Sequence, residues 1–212
     1  MNIFGISDFG LFCLAVLLLN ATPGPDTAYI VGRSVAQGRA AGLVSALGIS
    51  LGCCVHALAS ALGLTAILAA SATAFLVIKL AGGAYLVYLG IRMVLAKAAP
   101  DVVSAAPAEA RSLRKIFWQA VITNVLNPKV ILFFLAFIPQ FVLADSVRKT
   151  AAFLLLGVVF VAITTCWNSG TAFLAGTLAR RAGRSPTIKL WLERSVGAAF
   201  VALGVRLALT KN

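Results

Sequence analysis

Long apolar stretches separated by short polar ones recur along the whole chain. Each stretch is long enough for an α-helix to cross a hydrocarbon core of about 30 Å, which takes about 20 residues. The boundary at residues 71–72 is the least distinct. We predict six transmembrane helices, at residues 9–31, 41–70, 73–95, 116–142, 150–178 and 192–209.

Composition also favours a chain embedded in lipid. Hydrophobic residues make up 61% of it and charged residues only 11%, whereas soluble domains carry about 25% charged residues. The segment before the first stretch has no Lys or Arg, and Asp8 is acidic, so we do not expect a secretory signal peptide. The predicted fold class is an all-α integral membrane protein that keeps its first apolar stretch as a helix.

The basic residues predict an orientation. The formal net charge is +12, but the Lys and Arg residues are divided among the loops and do not form one nucleic-acid patch. One side of the membrane receives Arg33, Arg39, Arg92, Lys97, Arg111, Arg114, Lys115, Arg180, Arg181, Arg184, Lys189 and Arg194. The other side receives Arg148, Lys149, Arg206 and Lys211. Because cytoplasmic loops attract Lys and Arg, the first side is predicted to be cytoplasmic and both termini to lie outside.

Two predicted helices resemble each other. Residues 83–95 and 197–209 match in Gly and Arg positions without a gap. A repeat of three helices must be inverted in its second copy, and inverted repeats are common in secondary transporters. We therefore predict one membrane domain, residues 1–212, made of repeats 1–95 and 115–212 joined by a cytoplasmic linker at 96–114. Chance similarity of two apolar helices is the alternative.

The first predicted helix contains a break. Its middle holds Asn20 and Thr22, followed by Pro23, Gly24 and Pro25. Proline has no N–H, so carbonyls four residues earlier lose their helical partner. Such backbone groups are tolerated in a membrane only inside protein or beside a watery cavity.

Asp26 begins the second half of that broken helix, where a carboxylate suits the positive end of the helix dipole. Freed carbonyls together with Asp26 are suited to an ammonium group or a proton. A structural kink with Asp26 as a capping residue is the alternative.

A second break is predicted in the fourth helix. Pro128 releases the carbonyl of Asn124, Asn127 adds an amide, and Lys129 places a cation within the membrane. An intramembrane charge is costly and suggests a functional site. Snorkelling of Lys129, or a pair with Asp26, is the alternative.

Further polar positions fall within the predicted helices. Lys79, in the glycine-containing segment that reaches Tyr85, is suited to a substrate carboxylate or to snorkelling. His56 is suited to proton relay, or to a hydrogen bond in the core. The pair at 167–168, Trp then Asn, faces either the cavity or the core. Gly48 and Gly52, at G-x-x-x-G spacing, are predicted to permit close helix packing.

The sequence offers little for an enzyme. It has a single histidine and six carboxylates, without a recognisable serine, histidine and acid set, metal motif or phosphate-binding loop. We therefore expect no catalysis and no cofactor, and a driving force supplied by a gradient or a partner.

Together these segments resemble the lysine-exporter superfamily, and they are most similar to its homoserine/threonine-efflux branch. The resemblance rests on residues 20–26, 79–86 and 124–129, with Phe133-Phe134 and Pro139-Gln140-Phe141. It extends in order over nearly the whole chain. It implies a multi-pass protein of the bacterial inner membrane that exports amino acids or their derivatives and is driven by protons.

The resemblance and the two breaks suggest alternating access between the two halves. In this hypothesis the ammonium group of a zwitterionic, neutral amino acid meets Asp26 and the carbonyls near Leu19 and Ala21. Its carboxylate meets Lys129, Lys79 or free helix N–H groups. Entry of a proton at Asp26 favours release.

Two other functions remain open at this stage. A membrane thiol–disulfide electron conduit would need paired reactive cysteines, and the chain has Cys13, Cys53, Cys54 and Cys166, all within apolar stretches. A membrane subunit that does not itself transport is the second. The sequence does not name the solute, and a homo-oligomer is also left open.

Overall fold

The computed structural model describes residues 5–22, 24–70, 112–143 and 146–178, with single positions at 73, 77, 84, 87, 88, 91, 94, 95, 198 and 201. The described residues are helical apart from short connections, as expected for an all-α membrane protein. Apart from those single positions, the predicted third and sixth helices lie outside the described residues, as do Pro23 and nearly all of the predicted linker. The inverted repeat therefore stays a prediction.

The first broken span consists of two helices. Helix α1 is Phe9–Ala21 and helix α2 is Pro25–Gln37, bent by 52° from one to the other. Helix α1 ends where Thr22 adopts an extended backbone, and α2 starts at Pro25, whose missing N–H costs nothing at a first helical position. The predicted break is confirmed, although α2 extends six residues beyond the predicted end at position 31.

Two long helices flank this broken span. Helix α3 is Arg39–Ala70, with 32 residues. The last helix described in full, α6, is Lys149–Leu178, with 30 residues. Both are long and apolar enough to cross a membrane, and the two bent pairs raise the number of candidate spans to four among the described residues. The predicted second and fifth spans are thereby confirmed to within two residues.

The second broken span also consists of helices that meet at an angle. Helix α4 is Leu113–Val125, helix α5 is Pro128–Leu132, and the bend between the two halves of this span is 47°. Ser112 caps α4, which explains why the helix starts three residues before the predicted Ile116. After α5 the chain continues as a π-helix, Phe133–Phe137, and a 3₁₀-helix, Ile138–Phe141.

Glycines allow the close approach of α3 to its neighbours. A Cβ added at Gly48 would lie 2.5 Å from the carbonyl oxygen of Phe117 on α4. At Gly52 it would lie 2.5 Å from Asn124 Oδ1, and at Gly157 on α6 it would lie 2.7 Å from the Cβ of Ala57. The packing role predicted for Gly48 and Gly52 is confirmed.

The two broken spans run in opposite directions. The segment before α1 pairs with the end of the second broken span, because Ser7 N donates to Phe141 O at 2.9 Å and Leu143 N donates to Gly5 O at 2.9 Å. We call the membrane side at which α1 begins the first face, and the side at which α2 ends the second face. The second broken span therefore ends at the first face.

Candidate functional site at the two helix breaks

The two breaks meet around one small cavity. Five of the predicted site residues line it, and these are Asn20, Gly24, Asp26, Asn127 and Lys129. Cys53 and Thr164, which also line it, lie close to the midpoints of α3 and α6. A helix of about 30 residues exceeds the thickness of the hydrocarbon core, so its midpoint lies near the centre of the membrane. The cavity therefore lies deep in the membrane, between the two broken spans.

Asp26 is held on one side only. It lies in the first turn of α2, and its Oδ2 accepts a hydrogen bond of 2.7 Å from Asn124 Nδ2. Its Oδ1 is buried and has no hydrogen-bond partner among the described residues. One carboxylate oxygen thus orients the side chain, and the other is available to a ligand.

Asn124 connects Asp26 to the second break. Its backbone carbonyl, released by Pro128, accepts a hydrogen bond of 2.9 Å from the N–H of Asn127. The same carbonyl lies 3.2 Å from His56 Nε2, which must carry the proton in that contact. The His56 ring also stacks on Phe134, with 5.7 Å between centroids. His56 is therefore a hydrogen-bonded histidine behind Asn124, the second of the two options that the sequence left open.

Lys129 reaches across to the first break. Its Nζ donates to the carbonyl of Leu19 at 2.6 Å and to the carbonyl of Thr22 at 2.9 Å. Its own backbone N–H donates to Asn127 Oδ1 at 3.1 Å, so Asn127 caps α5. Lys129 does not snorkel to a membrane surface. In this state it occupies the Leu19 carbonyl that the sequence hypothesis assigned to a substrate ammonium group.

One face of α6 completes the cavity. Phe160, Thr164 and Asn168, spaced four residues apart, line it from this helix. Asn20 Nδ2 joins the two elements by donating to Thr164 Oγ1 at 3.1 Å. Sequence analysis included Asn168 but missed Phe160 and Thr164, although a polar pair at i and i+4 in an apolar helix is a usable signal. Trp167 is 38% exposed and does not line the cavity.

Six predicted site residues contribute differently or lie outside the described residues. Pro25 and Pro128 are the first residues of α2 and α5, where they set the breaks. Thr22 supplies its backbone carbonyl, while its hydroxyl donates to the Leu18 carbonyl at 2.9 Å. Lys79 and Tyr85 lie outside the described residues, as does Pro23.

The cavity is too small for an amino acid. Its volume is about 30 Å³, which leaves room only for molecules of the size of water. Pockets that hold drug-sized ligands measure about 300–1,000 Å³. In this state the candidate site therefore has no room for an amino acid between the described helices.

A phenylalanine cluster closes the cavity toward the first face. Phe133 packs on Phe160 at the cavity wall, with 5.2 Å between ring centroids. Toward the first face Phe137 follows Phe133 at 4.5 Å, and Phe141 follows Phe137 at 4.9 Å. Phe12 of α1 completes the contact with Phe141 at 5.4 Å. Packed rings thus fill this side of the cavity among the described residues.

Toward the second face, a polar cluster joins α2 to α4. Tyr29 Oη donates to the carbonyl of Ile116 at 3.0 Å. Arg33 donates to Gln119 Oε1 at 3.3 Å and to Gln37 Oε1 at 3.2 Å, and its guanidinium lies 5.3 Å from the centroid of the Tyr29 ring. On this side of the cavity α2 and α4 are thus joined by hydrogen bonds. Polar groups can exchange these bonds for hydrogen bonds to water at a small net cost, whereas packed phenylalanine rings lose their contacts when they separate.

The chain is similar to known membrane translocators over almost its full length. A family model described as LysE type translocator matches residues 17–211. An uncharacterized membrane protein of Pseudomonas aeruginosa is 34% identical over 98% of each chain. A homoserine/homoserine lactone efflux protein of Salmonella typhimurium is 29% identical over 95% of this chain and 96% of its own.

A leucine efflux protein of Salmonella choleraesuis is 23% identical over 99% of this chain and 98% of its own. The comparison with solved structures found no match. The family model covers far more than half of the residues, and the resemblance noted from the sequence motifs is confirmed. The apolar helices and the family together identify a multi-pass membrane protein and a transporter. The chain belongs to the LysE type translocator family.

Proposed function

We propose that this chain exports neutral amino acids or their derivatives, of the homoserine and threonine type, from the cytoplasm by proton antiport. The observation that carries the proposal is the small cavity between the two helix breaks, lined by both Asp26 and Lys129. Intramembrane charges are costly and mark substrate or ion pathways. The relatives named as efflux proteins for homoserine and for leucine support the same class of solute.

The charges of the cavity match those of a zwitterion. The unpartnered Oδ1 of Asp26 is suited to the ammonium group of an amino acid or to a proton, which would make the two compete. The ammonium group of Lys129 is suited to the carboxylate. Asn20, Thr164 and Asn168 add neutral polar groups that suit a hydroxyl-bearing side chain better than a charged one.

Alternating access follows from the size of the cavity. A cavity of about 30 Å³ must open to admit an amino acid. The phenylalanine cluster and the polar cluster, which bound it on its two sides, differ enough in their contacts to open separately. The phenylalanine cluster and the polar cluster lie on opposite sides of the cavity. With the excess of basic residues placed inside, the second face is cytoplasmic and the first face is periplasmic, which places the termini outside the bacterial inner membrane.

Transport by purified protein tests this proposal. Wild-type protein in liposomes should carry an amino acid identified by an efflux screen, and a pH gradient should accelerate the flux. Asp26→Asn should reduce the rate at least about a hundredfold, since loss of one partner of a buried charge costs about 3–5 kcal/mol and each 1.4 kcal/mol is tenfold. Lys129→Ala should impair transport through the same cavity.

Two matched variants serve as controls. Asp8→Asn removes a carboxylate from the segment before α1, and asparagine tolerates the left-handed backbone found there, with φ of 48°. Lys115→Ala removes an exposed cation from α4. Both should transport like the wild type. Wild-type rates in Asp26→Asn and Lys129→Ala would refute the assigned site.

The electron-conduit alternative has its own test. The four cysteines are free thiols in the structure, with Cys53 buried and Cys166 exposed. A cysteine-free variant that keeps full transport would eliminate the conduit. If the purified wild-type protein moved none of the screened solutes, a subunit that does not itself transport would replace the exporter.

A further inference from the structure

The side chain of Lys129 is bound as a ligand would be. Its ammonium group makes two short hydrogen bonds, 2.6 Å to the carbonyl of Leu19 and 2.9 Å to the carbonyl of Thr22. Both carbonyls belong to the end of α1, while Lys129 belongs to α5. A cation from one broken span thus fills an acceptor site that belongs to the other.

The carbonyl pair exists because α1 ends there. Carbonyls at a helix C-terminus lack intrahelical partners and carry the negative end of the helix dipole. The carbonyl of Leu19 also receives the N–H of Thr22 at 3.3 Å, a weak bond that leaves it available to a stronger donor. Without Lys129 this pair would be a site for any primary ammonium group of suitable size.

We propose that the Leu19 and Thr22 carbonyls are the ammonium site of the transporter, and that Lys129 is its resident occupant, displaced by the amine of the substrate. The inference rests on the proposed function for the identity of the amine, but the site itself is argued from geometry. The Lys129 ammonium and the α-ammonium group of an amino acid each present three N–H donors and one positive charge. They are therefore competitors for the same two oxygens.

Displacement also explains how the cavity gains room. Lys129 forms part of the wall of this small cavity, so withdrawal of its aminobutyl chain enlarges the space next to Asp26. The released ammonium group remains on α5 and can turn to the carboxylate of the same substrate. Once the site has opened, a single side-chain movement then empties the amine site, adds room beside Asp26 and provides the countercharge for the carboxylate of the solute.

The proposal defines the ligands that the site accepts. A primary ammonium group can donate to both carbonyls, whereas a quaternary ammonium ion of similar charge has no N–H to donate. Small primary amines without a carboxylate should therefore occupy the site once Lys129 is shortened or neutralised. This prediction separates the site from a general affinity of the cavity for cations.

The experiment measures thermal unfolding of the purified full-length protein in detergent, with ethylammonium chloride as the probe. In Lys129→Met the carbonyl pair is empty, and ethylammonium should raise the Tm by at least about 3 °C, because a ligand that binds only the folded state stabilises it. Tetramethylammonium chloride at the same concentration should leave the Tm unchanged. Wild-type protein and Lys115→Met, in which Lys129 still fills the site, should respond to neither salt.

Each outcome bears on the proposal. The proposal is overturned if the two salts shift the Tm equally, or if ethylammonium shifts the Tm of wild type and Lys129→Met equally. It is also overturned if ethylammonium leaves the Tm of Lys129→Met unchanged. If Lys129→Met does not fold, Lys129→Leu, whose side chain also has no N–H donor, takes its place with the same expectation. A selective ethylammonium shift in a protein whose wild type moves no amino acid would support the ammonium site and refute the exporter, so the two failures are distinguishable.

Discussion

The two helix breaks differ in where their polar groups find partners. At the second break, between α4 and α5, the partners are local apart from His56, whose Nε2 lies 3.2 Å from the carbonyl of Asn124. The carbonyl of Asn124 accepts from Asn127 N–H, and Asn127 Oδ1 accepts from Lys129 N–H. At the first break, between α1 and α2, they come from the other span. Lys129 Nζ donates hydrogen bonds to the carbonyls of Leu19 and Thr22, and Asn124 Nδ2 donates one to Asp26 Oδ2.

This difference assigns a role to each break. The second break is self-capped, so it holds its shape and presents two donors, the amide of Asn124 and the ammonium of Lys129. The first break presents hydrogen-bond acceptors, the carbonyls of Leu19 and Thr22 and the carboxylate of Asp26, whose hydrogen bonds depend on donors from another element. A transporter needs a site whose partners can be exchanged, and the first break, with its borrowed donors, is the better suited of the two.

The strongest test of this asymmetry exchanges Asp26 and Asn124. Asn124→Asp alone places two carboxylates side by side and should be unstable by several kcal/mol. The double variant Asp26→Asn with Asn124→Asp restores one amide and one carboxylate, so its thermal stability should recover. Transport should still be at least about a hundredfold below wild type, because the carboxylate has moved to the second break, behind the cavity.

Stability and transport must therefore be measured on the same three variants. The single variant Asp26→Asn serves as the reference for transport without the carboxylate. If the double variant transported like the wild type, the position of the charge would not matter, and the distinction between an acceptor break and a donor break would be wrong.

A smaller effect is expected from the packing that brings the breaks together. Gly52→Ala would place its Cβ 2.5 Å from Asn124 Oδ1 and 2.8 Å from Asn124 Cβ, which pushes α4 away from α3. Overpacking of this kind costs about 1–3 kcal/mol, visible as a lower Tm in detergent. Gly63→Ala on the same helix is the matched control, since its Cβ meets no described atom within 4 Å.

For Gly63→Ala we expect a Tm at or above that of the wild type, because alanine favours the helix by about 0.5–1 kcal/mol over glycine. Equal losses in the two variants would mean that the contact of Gly52 with Asn124 does not set the distance between the helices.

Sequence predicted the positions of the breaks better than their partners. Proline removes a backbone donor at its own position, so the breaks before Pro25 and at Pro128 follow from local chemistry. The partner of the Leu19 carbonyl lies 110 positions away along the chain, and nothing local to either residue indicates that pairing. The sequence hypothesis accordingly gave that carbonyl to a substrate.

The α6 face and the π-helix show two further limits. Thr164 and Asn168 stand out by their spacing, but in a helix that is apolar on every side the spacing does not tell which neighbour the face meets. The π-helix at Phe133–Phe137 follows a continuous apolar stretch that also suits an α-helix. Its wider turn depends on how the rings pack against Phe12 and Phe160, which is a tertiary effect.

Loss of the local cap at the second break should have a moderate effect. Asn127→Ala removes the side-chain acceptor of the Lys129 N–H and should cost about 1 kcal/mol of stability. Asn127→Ser retains an oxygen at the capping position and should recover most of this. If Asn127→Ser were as unstable as Asn127→Ala in thermal unfolding, capping would not account for the rigidity of the second break.

The smallest effect is expected at Thr22, although it lies at the centre of the first break. Thr22→Val removes the hydroxyl that donates to the Leu18 carbonyl and keeps the backbone oxygen that receives Lys129 at 2.9 Å. Because backbone carbonyls make the first break an acceptor, the variant should transport within about twofold of wild type and change stability by less than about 1 kcal/mol. Thr22→Ala, which leaves a small void at this buried position, separates loss of packing from loss of the hydroxyl. A large loss of transport in Thr22→Val with wild-type stability would show that the hydroxyl contacts the solute, and the acceptor site would then include a side chain as well as the end of α1.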